Sequence, residues 1–497
     1  MTIFYHSTRS EEPFSPSACI LEGLSEEGGL FVTDAVEDIR FDWRQFLGKG
    51  YQAIAKAVFS AFFTDFSPAQ ISYCVENAYN TRNFETEDIF TLANFEDFSC
   101  LELFRGRTIA FKDAALSALP HLMKCAKENC GETRRIAILT ATSGDTGKAA
   151  LEGFRNAEGI DVLVFYPYGG VSRLQLLQML TQEGNNVSTT AVRGNFDDAQ
   201  TAVKEIFNDK EFNEALNQQG VVLSSANSIN IGRLIPQIVY YYHAYVKLVE
   251  KQIIPAGEPV NFVVPTGNFG NILAGYYAAK TGLPVGKLIC SSNDNNVLTD
   301  FFQKGVYDKN RPFRKTISPS MDILISSNLE RLLYEIEGKD TRAVQEKMAA
   351  LSQKGVYEID LNSPVLERFY GGYATEEEIR GAIRDCYEKH RYLMDTHTAT
   401  GYKVLADYRR ETGDTTHSVI LSTASPFKFA KDVYQAVFPG TYESDVDYMY
   451  ALQDKSGVPI PAVVDGIEKR PAKKETVIEK TELRDEIQRR IGREKNV

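Results

Sequence analysis

Between about Asn94 and Pro439 the chain alternates short apolar runs with longer stretches in which apolar positions recur every three to four residues. RRIAILTAT, from Arg134, reads as a buried strand, SGDTG as a loop and KAALEGFRNA as a helix. DVLVFYP is a second strand, followed by GGVSRLQLLQMLTQEG as turn and helix. VSTTAVRG with FDDAQTAVKEIFND repeats the pattern, as do NFVVP with NILAGYYAAKTG and then GKLICSSN; HSVILSTAS closes the series. Strands separated by helical stretches of roughly 10–15 residues are the signature of βαβ units and a parallel sheet. Open sheets of this kind bind ligands at the carboxyl ends of their strands, so the strand-to-helix turns are the places to look for chemistry.

Outside this region the pattern changes. Residues 1–94 are mixed, with glycine punctuation in GLSEEGGLFV and a helical run in FDWRQFLGKGYQAIAKAVFSAFF. Residues 95–453 form the α/β region, with a smaller subdomain expected at about 134–240. From Asp454 to Val497 the chain is charged, and Leu483, Ile487 and Ile491, four apart, mark an amphipathic terminal helix suited to surface or subunit packing.

Composition narrows the classes. A chain of 497 residues exceeds what one hydrophobic core supports, so several domains are expected. The net charge of -12 argues against a nucleic-acid partner, which would need a clustered basic excess. The absence of a long apolar run or a basic start with an apolar core predicts neither a membrane span nor a signal peptide, and places the protein in the cytoplasm. The seven cysteines, an odd number without C-x-x-C pairs, read as free thiols of a reducing compartment. None of His6, His121, His243, His390, His397 and His417 sits at ligand spacing with a second donor, so no metal is assigned.

Five segments carry candidate chemistry. In ELFRGRTIAFKDAALSALP, Lys112 follows Ile109, Ala110 and Phe111; a lone lysine is ordinarily a solvated charge, but burial lowers its pKa and frees the amine for Schiff-base chemistry. TATSGDTGKAA gathers Thr142, Ser143, Asp145 and Thr146 at a strand-to-helix junction, where backbone N–H groups and hydroxyls suit a carboxylate. An ordinary capping loop is the competing reading. A nucleotide phosphate loop fails on spacing, because Thr142 and Ala149 stand where glycine and Ser or Thr are needed. VVPTGNFGNILAG places Gly267 and Gly270 between strand and helix, the arrangement that lets backbone amides meet a phosphate. SSANSINIGRLIPQ collects Asn227, Ser228, Asn230 and Arg233, and LSTASPFKF ends an apolar strand at Thr423.

Taken in this order, the segments resemble the threonine synthase family, of the longer type found in bacteria and fungi. STR with GLSEEGGLFV is similar to that family's opening, TIAFKD to its lysine segment, and TATSGDTGKAA and SRLQLLQM to its next two motifs. ANSIN, PTGNFGN and STASPFKF follow at familiar intervals, and the resemblance runs from about Tyr5 to about Tyr448. It implies a pyridoxal-phosphate (PLP) enzyme of fold type II, with two open α/β subdomains of mainly parallel sheets, an N-terminal domain and a charged C-terminal helical tail. Carried to matching positions, it implies that Lys112 bears the cofactor as a Schiff base. Gly267, Asn268, Phe269, Gly270 and Asn271 would hold its phosphate, and Thr423 would face its ring nitrogen. Thr142, Ser143, Asp145 and Thr146 would meet the substrate's carboxylate end, with Arg173, Asn230 and Arg233 as candidates for its phosphate.

The implied reaction turns O-phospho-L-homoserine and water into L-threonine and phosphate by γ-elimination and β-addition of water, in a monomer or homodimer. The alternative is a PLP-dependent phospho-lyase or ammonia-lyase on a hydroxy-amino acid or its phosphate. Two departures bear on this choice. Gly106-Arg107 replaces the family's usual Gly-Pro before Thr108, placing a cation beside the lysine segment, where it either alters the lysine and the substrate preference or points to solvent. Thr423-Ala424-Ser425-Pro426 replaces TAHP and removes a histidine.

Overall fold

The computed structural model describes residues 2–142, 144–194 and 196–492. Two sheets organise them. In chain order the strands are Thr91–Asn94 (β1), Phe98–Glu102 (β2), Arg135–Ala141 (β3), Ile160–Pro167 (β4), Val187–Val192 (β5), Val221–Ser224 (β6), Val260–Pro265 (β7), Val285–Ser292 (β8), Phe369–Tyr373 (β9), Ser418–Ser422 (β10) and Val477–Ile478 (β11). The larger sheet runs β9-β8-β7-β10-β2-β1 and is parallel except for β1, which pairs antiparallel with β2. The smaller runs β11-β5-β4-β3-β6, all parallel. The chain is thus α/β with mainly parallel sheets, as its pattern predicts.

Strands covered on both faces need continuous apolar runs rather than alternation. All eight residues of β4 and all six of β7 are buried. Their carboxyl ends deliver the predicted loops: Thr142 follows β3, Thr266 and Gly267 follow β7, and Thr423 follows β10.

The N-terminal part packs directly onto the α/β layers. The Arg9 guanidinium grips Glu330 in a two-pronged ion pair, and the buried Arg331 donates to the Phe31 carbonyl at 2.8 Å. The charged C-terminal segment closes the smaller sheet. β11 pairs with β5 through Val477 with Ala191 and Ile478 with Val192. In the Leu483–Ile491 helix the residues four apart, Leu483, Ile487 and Ile491, are all buried, in one cluster with Leu139, Phe165 and Ile206. Glu486 accepts from the Thr190 hydroxyl at 2.9 Å. Ile487→Ala is therefore expected to cost about 2–5 kcal/mol, the lost transfer energy plus a cavity. Thermal unfolding followed by circular dichroism checks this, and an unchanged transition would show that the helix is not docked. Among the described residues, no helix is long and apolar enough to cross a membrane.

Candidate functional site

Lys112 stands between the segment after β3, which carries Asp145, and the exit of β10. Its segment lies along the exit of β10: the Phe111 N–H donates to the Thr423 carbonyl at 2.8 Å, and the Ser425 N–H donates to the Ile109 carbonyl at 3.0 Å. Ile109 has φ of 53°, left-handed backbone that a β-branched residue enters only at a cost of about 1–3 kcal/mol. That strain turns the chain so that Lys112 faces a small cavity lined by Phe111, Asp145, Ser320, His397, Thr423 and Ala424.

Asp145, at the start of the Asp145–Gly153 helix, is the hub of this cavity. Its Oδ2 lies 3.5 Å from Lys112 Nζ and accepts from the Ser320 hydroxyl at 3.1 Å. Its Oδ1 lies 3.1 Å from Lys428 Nζ and accepts from Gln175 Nε2 at 2.9 Å. Burial alone would raise its carboxyl pKa, but Lys428, Lys112 and Gln175 hold it far below the usual carboxylate range. The amine of Lys112 is pushed the other way from an ordinary lysine. Burial lowers its pKa, and the attraction of Asp145 is opposed by Lys428 and Arg233.

Ser320 joins this cluster to a second one. Its N–H donates to His397 Nε2 at 3.1 Å, so that nitrogen is the acceptor and Nδ1–H is left to donate to Asp395 Oδ2, 2.7 Å away. Asp395 also caps the Thr396–Thr412 helix through the His397 and Thr398 amides.

The Gly267–Asn271 turn leads into the Gly270–Lys280 helix through Phe269, at φ 63°. A Cβ on Gly267 would lie 2.5 Å from the Ser320 carbonyl oxygen, so only glycine fits beneath the segment that carries Ser320. Further along, Ser326 donates to the Gly267 carbonyl at 2.6 Å, and Asn328 donates twice to that of Asn268, whose side chain is exposed. Asn271 Oδ1 accepts from the Tyr240 and Tyr241 hydroxyls, which fixes the amide orientation and leaves Nδ2 buried without a protein partner. Arg233 is also nearly sealed from solvent. One of its Nη atoms donates to the Ala226 carbonyl at 3.0 Å, its Nε has no protein partner, and burial lowers its pKa to about 10. A buried donor without an acceptor costs about 1–3 kcal/mol, so these two point to ligand atoms. A helix N-terminus, an oriented amide, a buried arginine and a nearly sealed lysine amine together fit a phosphorylated aldehyde cofactor such as PLP.

The other expected residues divide. The Thr142 hydroxyl accepts from the Gly144 and Gly147 amides, and so holds the loop in shape; Thr146 is half-buried in the next turn. Ser143 lies outside the described residues. Asn230 caps the Ile231–Leu234 helix through the Gly232 amide and donates to the Ile20 carbonyl, so its side chain is committed to the scaffold. Arg173 is exposed at the start of the Arg173–Leu180 helix and does not line the Lys112 cavity. Arg107 pairs with Glu152 at 2.5 Å and donates to the Arg82 carbonyl, turning its charge to the outer side of the lysine segment. Ser425 accepts from the Phe427 amide and caps the short turn that carries Lys428.

Four participants escape the sequence reading: Lys428, Ser320, His397 and Asp395. The first was visible only as part of ASPFKF, just after a strand end. His397 lacks a second donor at ligand spacing, and the D-T-H-T run reads as a helix cap. Ser320 has no local signal. Among the described residues, no group of three or more His, Cys, Asp or Glu could hold a metal ion.

Comparison with known proteins follows the same map. Residues 98–424 match the family described as "Pyridoxal-phosphate dependent enzyme", 4–79 match "Threonine synthase N terminus" and 398–487 match "Threonine synthase, C-terminal". Threonine synthase-like 1 of Homo sapiens is 38% identical over 460 residues, covering 89% of this chain and 61% of that protein. The chain therefore spans about three-fifths of the length of that relative. Threonine synthase of Pseudomonas aeruginosa is 36% identical over 442 residues, covering 87% and 90%. The crystal structure of PLP-bound threonine synthase from Brucella melitensis aligns with a TM-score of 0.86 at 35% identity, over 98% of this chain and 99% of that one.

Proposed function

Because this chain belongs to the threonine synthase family of PLP-dependent enzymes, we propose that it converts O-phospho-L-homoserine and water to L-threonine and phosphate. The observation that carries this reading is the Lys112 cluster: a nearly sealed amine beside one carboxylate, with partnerless donors on Asn271 and Arg233. PLP bound there supplies an electron sink that makes carbon–hydrogen bonds near the substrate's amino carbon acidic. In this reading Asn271 and the amides of Gly267–Gly270 would hold the cofactor phosphate, Lys112 would bond to its aldehyde carbon, and the Thr423 hydroxyl would be the partner of the ring nitrogen.

The chain's own groups then divide the work. The Lys112 amine, facing the cavity, would take protons from the α and β carbons and deliver them to the α carbon and to Cγ. Arg233 receives the substrate's phosphate, whose negative charge offsets the cost of a buried guanidinium. Backbone amides and hydroxyls from Thr142 to Thr146 orient the carboxylate. Asp145, held by four partners, keeps the Lys112 side of the cavity polar without approaching the substrate's anionic groups. The carbon–oxygen bond to phosphate breaks at Cγ, a proton taken from Cβ ends at Cγ, the hydroxyl of a water adds at Cβ, and the water's other proton leaves with the phosphate. Seven cysteines without a disulfide suit a cytoplasmic protein, and a monomer or homodimer is the assembly proposed.

The test is incubation of PLP-loaded protein with O-phospho-L-homoserine, with amino acid, phosphate and 2-oxo acid all measured. Equal amounts of threonine and phosphate are expected. Release of a 2-oxo acid without threonine would replace the synthase reading with the lyase one.

A further inference from the structure

Two lysines compete for one carboxylate at the floor of the site. Lys428 Nζ is fully buried, donates to the Thr108 carbonyl at 2.9 Å and sits 3.1 Å from Asp145 Oδ1. Lys112 Nζ approaches the other oxygen at 3.5 Å. The remaining groups that face Lys112 are Arg233 from the Ile231–Leu234 helix and His397 from the Thr396–Thr412 helix. Those that face Lys428 are Asp145 together with Asp113 and Lys148, and Lys148 is itself drawn to Glu152. The Asp113 carboxylate is engaged by the Thr108 amide at 2.8 Å and hydroxyl at 2.7 Å. Asp145 thus stands between Lys112 and Lys428, and Lys428 holds it at the shorter distance. A lysine beside a second cation in a dry pocket is the arrangement that produces an amine nucleophile.

We propose that Lys428 is a positioning residue: its buried ammonium occupies Asp145 and leaves the Lys112 amine uncharged, ready to bond to the cofactor's aldehyde carbon. In that step the amine nitrogen forms the bond to carbon, and its two hydrogens leave with the aldehyde oxygen as water. The inference rests on reading Lys112 as the cofactor-bearing lysine. It adds a residue that touches neither cofactor nor substrate but sets the pH at which the attachment forms. Lys428 also fastens the turn after β10 to the lysine segment, through Thr108, so charge and position act on the same pair of segments.

The test uses the full chain with PLP alone. Parent, Lys428→Gln and Lys428→Arg proteins are incubated with PLP across a pH series and quenched with borohydride. The fraction of Lys112 carrying the reduced pyridoxyl group is then read by peptide mass spectrometry. Glutamine keeps a donor for Thr108 but loses the charge, so the pH of half-labelling should rise by about one unit. Arginine keeps the charge and should leave that pH close to the parent's. Lys428→Met serves the same purpose if the glutamine variant does not fold. A Lys428→Gln labelling curve that superimposes on the parent's would overturn the role of Lys428 and leave the cofactor assignment standing. A parent protein unlabelled at Lys112 at every pH would overturn both.

Discussion

Lys112→Ala is expected to abolish the PLP-dependent visible absorbance and to lower threonine formation by roughly 10²–10⁴-fold, the span a positioned acid–base group typically contributes. Two observations make the loss this large. Lys112 faces the cavity from the N-terminus of the Asp113–Leu116 helix, held there by the Phe111 and Ser425 hydrogen bonds to the β10 exit. The nearest other buried amine, Lys428, is tied to Thr108 and Asp145 and cannot reach the cavity without breaking both contacts. Absorbance with added PLP and a threonine assay check the two halves separately. A variant that kept a lysine-linked chromophore would move the attachment point to another lysine, and one that kept threonine formation would remove Lys112 from the chemistry altogether.

Asp145→Asn is expected to lower stability by about 3 kcal/mol at neutral pH, because removing one partner of a buried ion pair strands the other charge. The side chain keeps its size, so the cost is electrostatic: the buried ammonium of Lys428 loses its counter-charge while Gln175 and Ser320 keep a polar neighbour. The pH dependence carries the sign. The Asp145 carboxyl is held below its ordinary value in the folded protein, since the effects of Lys428, Lys112 and Gln175 exceed the opposing cost of burial. Its contribution is therefore present above the ordinary carboxyl pKa of about 4 and lost as pH falls below that value. Urea unfolding of parent and variant at pH 7, 5 and 3.5 checks this; the gap between them should be widest at pH 7 and shrink at pH 3.5. A gap that did not narrow would mean that the carboxylate's charge is not what stabilises the site.

Taken together, Lys112, Asp145 and Lys428 describe a site whose reactivity is set by which of two lysines a single aspartate serves. Arg107, the cation that the sequence places beside the lysine segment, has no part in that balance. Its guanidinium faces Glu152, on the far side of the turn that Gly106 makes against Asp113. The loss of a histidine at Ser425 likewise leaves a capped turn, which carries Lys428 to the floor of the site.

Much of this was legible beforehand. Continuous apolar runs such as DVLVFYP and NFVVP predict strands covered on both faces, and β4 and β7 are buried along their whole length. The spacing of Leu483, Ile487 and Ile491 predicts an amphipathic helix, and all three are buried. What that face packs against was not legible, because periodicity names a buried side without naming its partner. The same gap separates the candidate residues. Asn230 and Arg233 lie three apart in one motif, yet the first is spent on a helix cap and the N-terminal segment, while the second keeps a buried donor free.

By itself, the sequence determined the strand–helix alternation, the turns at the strand ends and the family to which those motifs are similar. Each is a local property, written in the spacing of neighbouring residues and the backbone freedom of glycine. Only the tertiary structure decided that Asp145, Ser320, His397 and Lys428 converge on Lys112, and that Arg107 turns away. The pair Asp145–Ser320 is separated by 175 residues and Thr108–Lys428 by 320. Contacts of that kind depend on how sheets pack and on where a buried charge finds its counter-charge, and no local pattern in the chain records either.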